Sequence, residues 1–247
     1  GAGALMLEGL YSAGAGMESA QNQLDNVSSN MANEDTPGYQ SEDLSFSDLL
    51  YGTDNDAPST AIVGSGSTTN MLGFDQTQGS IETTKNPLDI ALSGPGYFEV
   101  RRSDGTTGLT RNGELELNDS GQITTATGQE LVPPITLPKG TQASQVSIGT
   151  DGTVSVDKQK VGQIKIVQVA APDKLMPQGD STYSATAGSG APFAAKGVTM
   201  QQGALEQSNV DMTQQISTME TAEQAYDMGS KAVQMEAQLG QIAATLK

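Results

Sequence analysis

Apolar residues recur every seven places near the start of the chain, at Leu10, Met17, Leu24 and Met31, with Ala13, Ala20 and Val27 three places after the first three. This spacing predicts a helix with an a/d stripe. The helix is expected to stop near Asn33, because Asp35, Thr36, Pro37 and Gly38 follow and proline disfavours helix at the residue before it. The other end of the chain repeats the pattern. Ser208 and Asn209 are placed to cap a helix beginning near Val210, with Asp211 in its positive first turn. Met212, Ile216, Met219, Tyr226 and Val233 form one apolar seam, and Ala225, Met228, Ala232, Met235, Leu239, Ile242 and Leu246 form a second, rotated one. Two seams predict contact with more than one neighbour.

Between these helices the pattern shortens to β-type runs divided by turns. Tyr97 to Arg101, Gly108 to Arg111, Leu115 to Leu117, Gln145 to Ile148, Thr153 to Val156 and Gly162 to Val169 read as strands. The pairs Asp104-Gly105, Asn112-Gly113 and Asp151-Gly152 read as hairpin turns, since such turns demand positive φ. Leu131 to Pro138, with three prolines, reads as an edge or connector. Gly52 to Thr69 and Pro177 to Gly197 are rich in small and polar residues and are expected to be loops or arms that order only against a partner. The predicted fold class is α+β, with no repeat of 20 to 50 residues.

Composition narrows the chemistry. The 247 residues include no Cys and no His, which removes thiol nucleophiles, disulfides, imidazole bases and the usual zinc and copper ligands. A formal charge of −17 repels phosphate backbones and anionic membrane surfaces, so neither nucleic acid nor membrane insertion is expected. No apolar run approaches the roughly 20 residues that span a bilayer, and no cleavable secretory signal is visible. Gly94-Pro95-Gly96 lacks the third glycine, helix and lysine of a phosphate loop and reads as a tight turn. Asp54-Asn55-Asp56 lacks the glycine and closing glutamate of a calcium loop. A glycosidase needs two carboxylates about 5–10 Å apart in an aromatic cleft, against which stand no Trp, 4 Phe and 6 Tyr. Ser230 and Lys231 are neighbours on a helix and point apart, so they form no dyad. The expectation is a protein that is not an enzyme and holds no cofactor or metal. Methionines at heptad positions are ordinarily core filler, and the two helices could satisfy their seams by pairing within one chain.

The segment Asn30-Met31-Ala32-Asn33-Glu34-Asp35-Thr36-Pro37-Gly38-Tyr39 resembles the signature that ends the first helix of bacterial flagellar rod, hook and hook-associated proteins. Gln78-Gly79, Asn86-Pro87-Leu88-Asp89-Ile90-Ala91-Leu92 and Gly94-Pro95-Gly96-Tyr97-Phe98 are similar to the family's central motif, continued by Thr110-Arg111-Asn112-Gly113, Asn118, Gly121 and Gly128. Gly203-Ala204-Leu205-Glu206-Gln207-Ser208-Asn209-Val210, with Gln224-Ala225-Tyr226 and Ser230-Lys231, looks like its closing signature. Phe46 to Tyr51 and Leu137 to Val156 look most like the distal rod member, whereas the arm from Gly52 to Gly79 is shorter than in that member. A proximal rod or hook subunit therefore stays open.

The resemblance implies terminal helices (residues 1–36 and 208–247) paired as an antiparallel coiled coil, extended β-arms (37–89 and 184–207), and a central barrel- or sandwich-like β-domain (90–183). It also implies a structural subunit of a hollow helical tube in the flagellar basal body, within the cell envelope, that transmits torque and encloses an export channel. Its partners would be copies of itself, other rod and hook axial proteins and bushing ring proteins. Asn30, Asn33, Thr36 and Gly38 would set how the chain leaves the helix layer, and Gly203 to Asn209 how it re-enters. A soluble binding or adhesive module, its helices merely paired in cis, is the competing class.

Overall fold

The computed structural model describes residues 2–50 and 64–245. The chain is α+β: a helix at each end, α1 (Ala2–Ala32) and α2 (Met212–Thr245), with short strands between. It divides into two compact units, one of residues 1–32, 42–72 and 211–247, the other of residues 33–41 and 73–210.

In the first unit α1 and α2 lie side by side and run in opposite directions. Gly9 faces Glu236, Ala13 and Met17 face Gly229, and the Asn30 amide reaches Gln215. α1 begins at Ala2, eight residues before the stripe at Leu10, and stops at Ala32, where Asn33 accepts hydrogen bonds from both the backbone N–H and the hydroxyl of Thr36. α2 is capped differently from the sequence expectation. The Asp211 carboxylate accepts from the Thr213 and Gln214 N–H groups at 2.9 and 3.2 Å, making Asp211 the N-cap, while Asn209 is engaged elsewhere. The same unit holds most of a two-stranded sheet of Glu42–Leu50 and Gly64–Phe74, the last two residues of the second strand belonging to the other unit. Residues 64–69, expected as loop, are therefore strand; Asp54, Asn55, Asp56 and Leu246 lie outside the described residues.

The second unit is built on an open, branched sheet. Its strand order is Met176–Pro177, Thr182–Ser184, Thr107–Thr110, Tyr97–Arg101, Glu130–Leu131, Ile123–Thr125 and Leu115–Leu117, with Ile166–Gln168 joining Tyr97–Arg101 to Phe193–Ala194. Its end strands do not meet, so the expected barrel is not closed. Gly162 to Val169 breaks into two strands, Gln159–Gln163 and Ile166–Gln168, which enter different sheets. Val146–Ile148, Thr153–Val156 and Gln159–Gln163 form a separate three-stranded meander. Two further pairs, Ile90–Ser93 with Thr199–Gln202 and Ile81–Thr83 with Ala204–Glu206, bind the returning chain to the outgoing one. The main core gathers Ile90, Leu92, Phe98, Val100, Leu115 and Ile123 with residues of the meander. A second core joins Phe74, Tyr97, Leu109 and Tyr183, its rings edge to face.

Turn chemistry explains the hairpins. Asp104-Gly105-Thr106 and Asp151-Gly152-Thr153 are the same device: glycine at positive φ and an aspartate that accepts both the backbone N–H and the hydroxyl of the threonine. Those bonds hold both carboxyls below the usual range, chiefly through the Thr106 hydroxyl at Asp104 and the Thr153 N–H at Asp151. Asp157-Lys158 turns the meander with φ of 51° and 67°, a type I′ geometry for which lysine has no natural preference. Replacing Lys158 with glycine relieves this strain and is expected to stabilise the unit by about 0.5–1 kcal/mol, read as a raised urea midpoint at unchanged slope.

Candidate assembly site

Two constellations carry the motif residues. The first, within the second unit, is a clasp formed where the segments 38–41, 75–79 and 205–209 lie alongside one another. At its centre the Arg111 guanidinium is buried against the Glu206 carboxylate. Nη2 meets Oε2 at 2.6 Å and Nε reaches both carboxylate oxygens at 3.1 Å. Nη1 donates to the carbonyls of Gly94 and Gly96 at 3.2 and 2.9 Å. Glu206 also accepts the Gly79 N–H at 3.2 Å, and its backbone carbonyl accepts the Gly38 N–H at 2.8 Å. Gly38 sits at φ +67° with the Arg111 carbonyl carbon 2.5 Å from where a Cβ would stand, so both its conformation and its surroundings require glycine.

Asn209 ties the three segments. Its side-chain oxygen accepts the Ser41 N–H at 2.7 Å, and its amide donates to the carbonyls of Asp75 and Thr77, both at 2.9 Å. The Tyr97 hydroxyl, its one proton directed to the side-chain oxygen of Gln40 at 3.0 Å or of Gln76 at 3.3 Å, adds a buried brace; its pKa is raised by burial, with Arg111 pulling the other way. Nearby, Asp89 accepts from the Thr84 hydroxyl at 2.6 Å and the Asn86 amide at 2.7 Å, and Asn86 accepts the Leu88 N–H. This arrests the loop at Pro87, puts Leu88 in the core and leaves the Asp89 carbonyl for the Gly203 N–H at 2.8 Å. Gly203, at φ +70°, breaks the returning chain into two strands; Leu205 then pairs with Glu82, and the Ser208 hydroxyl accepts the Val210 N–H. A groove of about 400 Å³ beside the clasp is lined by Gln76, Gln78, Gly94, Tyr97, Arg111 and Gln168 among others.

The second constellation is the helix pair of the first unit. Asn30 is buried, accepts the Glu42 N–H at 3.0 Å and donates to the Glu42 carbonyl at 3.1 Å and to Gln215 at 3.4 Å. One side chain thus joins both helices and the strand Glu42–Leu50. Burial raises the pKa of Glu42, against a hydrogen bond from Asn26. Ala20 and Val27 are buried, and Leu10, Met17, Leu24 and Met31 are half-buried. On α2, Met219 and Val233 are half-buried, whereas Ile216 and Tyr226 are exposed and so do not share one buried seam with them. The line of α2 that faces α1 is Gln215, Ala222, Gly229 and Glu236, spaced by seven and made of small or polar residues. A Cβ at Gly229 would stand 2.6 Å from the Met17 side chain. The apolar seam of Met228, Met235, Leu239 and Ile242 faces away, 55–66 % exposed. Sequence reasoning missed the inner line because it looked for hydrophobic residues; the heptad spacing of Ala222 and Gly229 was its one available signal.

Among the described residues no three or more Asp or Glu side chains are grouped to hold a metal ion, and no helix is long and apolar enough to cross a membrane.

Antiparallel helices drawn from both ends of the chain, a buried clasp of motif residues within the β-rich unit and an uncovered helical seam define a class of protein with terminal helices around a β-rich middle. Family models agree segment by segment. Residues 10–40 match the flagella basal body rod protein model, 91–156 the D1 domain of flagellar hook protein FlgE/F/G, and 201–246 the C-terminal model of flagellar basal body rod FlgEFG protein. The chain is 34% identical to the flagellar basal-body rod protein FlgG of Agrobacterium fabrum over 92% of this chain and 94% of that one. It is 30% identical to FlgG of Borreliella burgdorferi (98% and 99%) and 33% identical to FlgG of Caulobacter vibrioides (98% and 100%). The chain belongs to the flagellar basal-body rod protein family.

Proposed function

We propose that this chain is a structural subunit of the flagellar basal-body rod, in the distal rod position, which polymerises into a hollow helical tube that transmits torque from motor to hook and encloses an export channel. The observation that carries the reading is the outward seam of α2. A helix that buries a small and polar line against α1 and leaves Met228, Met235, Leu239 and Ile242 uncovered has its strongest apolar surface reserved for another helix. Full-length likeness to proteins named FlgG supports the distal position over a proximal rod or hook role.

In this reading residues 1–36 and 208–247 form the helical assembly layer, in coiled-coil contact, residues 37–89 and 184–207 the arms, and 90–183 the outer β-domain. Partners are copies of the chain, neighbouring rod and hook proteins and the bushing rings, within the cell envelope. The role is mechanical and involves no catalysis. Each copy uses different faces for its neighbours, which generates a helix rather than a closed ring.

Charge sets the conditions. α1 carries Glu8, Glu18 and Asp25 and no Lys or Arg, and α2 sets Glu220, Glu223, Asp227 and Glu236 against Lys231 alone. Packing such helices together costs repulsion that salt relieves, as the Debye length falls from about 10 Å at 0.1 M to about 3 Å at 1 M. Purified chain is expected to form tubes more readily as salt rises, followed by sedimentation and electron microscopy. Monomers at every salt and protein concentration would favour the binding-module reading, and polymers that dissolve steadily with added salt would remove the repulsion argument.

A further inference from the structure

Asn112-Gly113, the chain's only Asn-Gly pair, is not the hairpin turn its sequence predicts. The strands on either side, Thr107–Thr110 and Leu115–Leu117, pair with other partners, and Gly113 is not among the positive-φ residues. Glycine stands here for space: the carbonyl oxygen of Ile90 occupies the place of a Cβ, and the Ile90 N–H donates to the Gly113 carbonyl at 2.9 Å. On the other side, the position of a Cβ on Gly38 is 2.6 Å from the Asn112 nitrogen. Asn112 itself is tied down, its N–H donating to the Thr110 hydroxyl at 3.1 Å and its side-chain oxygen accepting the Glu114 N–H at 2.9 Å.

The clasp therefore requires glycine at 113, and with asparagine before it that glycine forms a pair with its own chemistry. A glycine nitrogen, with no Cβ beside it, is the least hindered backbone nucleophile toward a preceding asparagine. We propose that Asn112 is a modification site of the unfolded chain, deamidating to aspartate and isoaspartate until closure of the clasp around Gly38, Ile90 and Gly113 stops the reaction.

In the open chain the deprotonated Gly113 nitrogen attacks Asn112 Cγ. The N–Cγ bond forms, the Cγ–Nδ2 bond breaks, and Nδ2 takes a proton from solvent and leaves as ammonia. Water then adds to one of the two carbonyls of the resulting succinimide, its C–N bond breaks, and the nitrogen regains a proton. Opening at the side-chain carbonyl gives aspartate; opening at the backbone carbonyl gives isoaspartate, with one extra carbon in the main chain. In the folded chain ring closure would drag Gly113 off Ile90 and break the bond to Glu114. The extra main-chain carbon has no room between Gly38 and Ile90, so an isoaspartate chain does not close the clasp, whereas aspartate keeps the acceptor for Glu114.

The test is to incubate the full chain at mildly alkaline pH, folded and in concentrated urea, and follow residue 112 by peptide mass mapping with isoaspartate-specific methylation. Conversion is expected to be at least about tenfold slower in the folded chain, since it must wait for local opening. Equal rates, or no conversion in urea, would overturn the proposal. After refolding of the aged chain, isoaspartate at 112 is expected only in the unfolded fraction, while Asn112→Asp folds normally. Isoaspartate distributed equally between the fractions would overturn the fit argument.

Discussion

Replacing Arg111 with alanine is expected to destabilise the β-rich unit by about 3 kcal/mol, the lower end of the range for breaking a buried ion pair. The cost arises because the Glu206 carboxylate, 3 % exposed, keeps only the Gly79 N–H as a donor to its side chain. The Gly94 carbonyl and the buried Gly96 carbonyl lose a donor; both residues line the same groove as Arg111, so water can enter the space its side chain leaves, which keeps the value low. Arg111→Lys should cost nearly as much, since a single ammonium cannot span a carboxylate and two carbonyls as the fork does. The informative variant is the double change Arg111→Met with Glu206→Gln, which removes both charges while the glutamine oxygen still serves Gly79. It is expected to be less destabilised than the sum of its single changes by about 1–3 kcal/mol. Urea unfolding followed by hydrogen exchange in Tyr97–Arg101 reads this unit separately from the helices, a precaution the two-unit division makes necessary. Additive losses would show that the pair is not coupled and that the clasp is held by its backbone bonds alone.

What was legible in the sequence follows from the range of the interactions involved. Local chemistry was readable: the end of α1 at Asn33 to Gly38, the strands Tyr97–Arg101, Leu115–Leu117 and Thr153–Val156, and the aspartate-glycine turns are fixed by residues within four places of one another. The clasp was readable only as a list of motif residues. Nothing local indicates that Arg111 and Glu206, 95 residues apart, form one buried pair, or that Asn209 serves Ser41 and Asp75 instead of capping α2. Asn112-Gly113 misled because its glycine answers a steric demand from Ile90, 23 residues earlier, and not a turn. The helix faces misled for a related reason. Periodicity showed that α2 has two apolar seams, but close approach to α1 is made by Ala222 and Gly229, whose contribution is lack of bulk.

The outward seam yields the largest expected effect. Covering Met228, Met235, Leu239 and Ile242 with a helix of a second copy gains about 1.5–3 kcal/mol for each side chain fully buried, partly offset by lost rotamer freedom. Leu239→Asp replaces one such gain with a charge buried without a partner, in a helix pair already short of cations, at a cost of several kcal/mol per contact. Every copy in a polymer repeats the lesion at every junction, so the critical concentration should rise by more than about a thousandfold, about 4 kcal/mol, and tubes should vanish at workable protein concentrations. Leu239→Met conserves volume and should assemble normally. Glu223→Gln, which removes an exposed acidic charge on the same helix, should assist assembly slightly at low salt. The Leu239→Asp chain is expected to keep its β-rich unit, because Leu239 lies in the other unit and is 57 % exposed; hydrogen exchange across Tyr97–Arg101 separates failure to assemble from failure to fold. Tubes of normal length and abundance from folded Leu239→Asp chain would show that another surface carries the lattice.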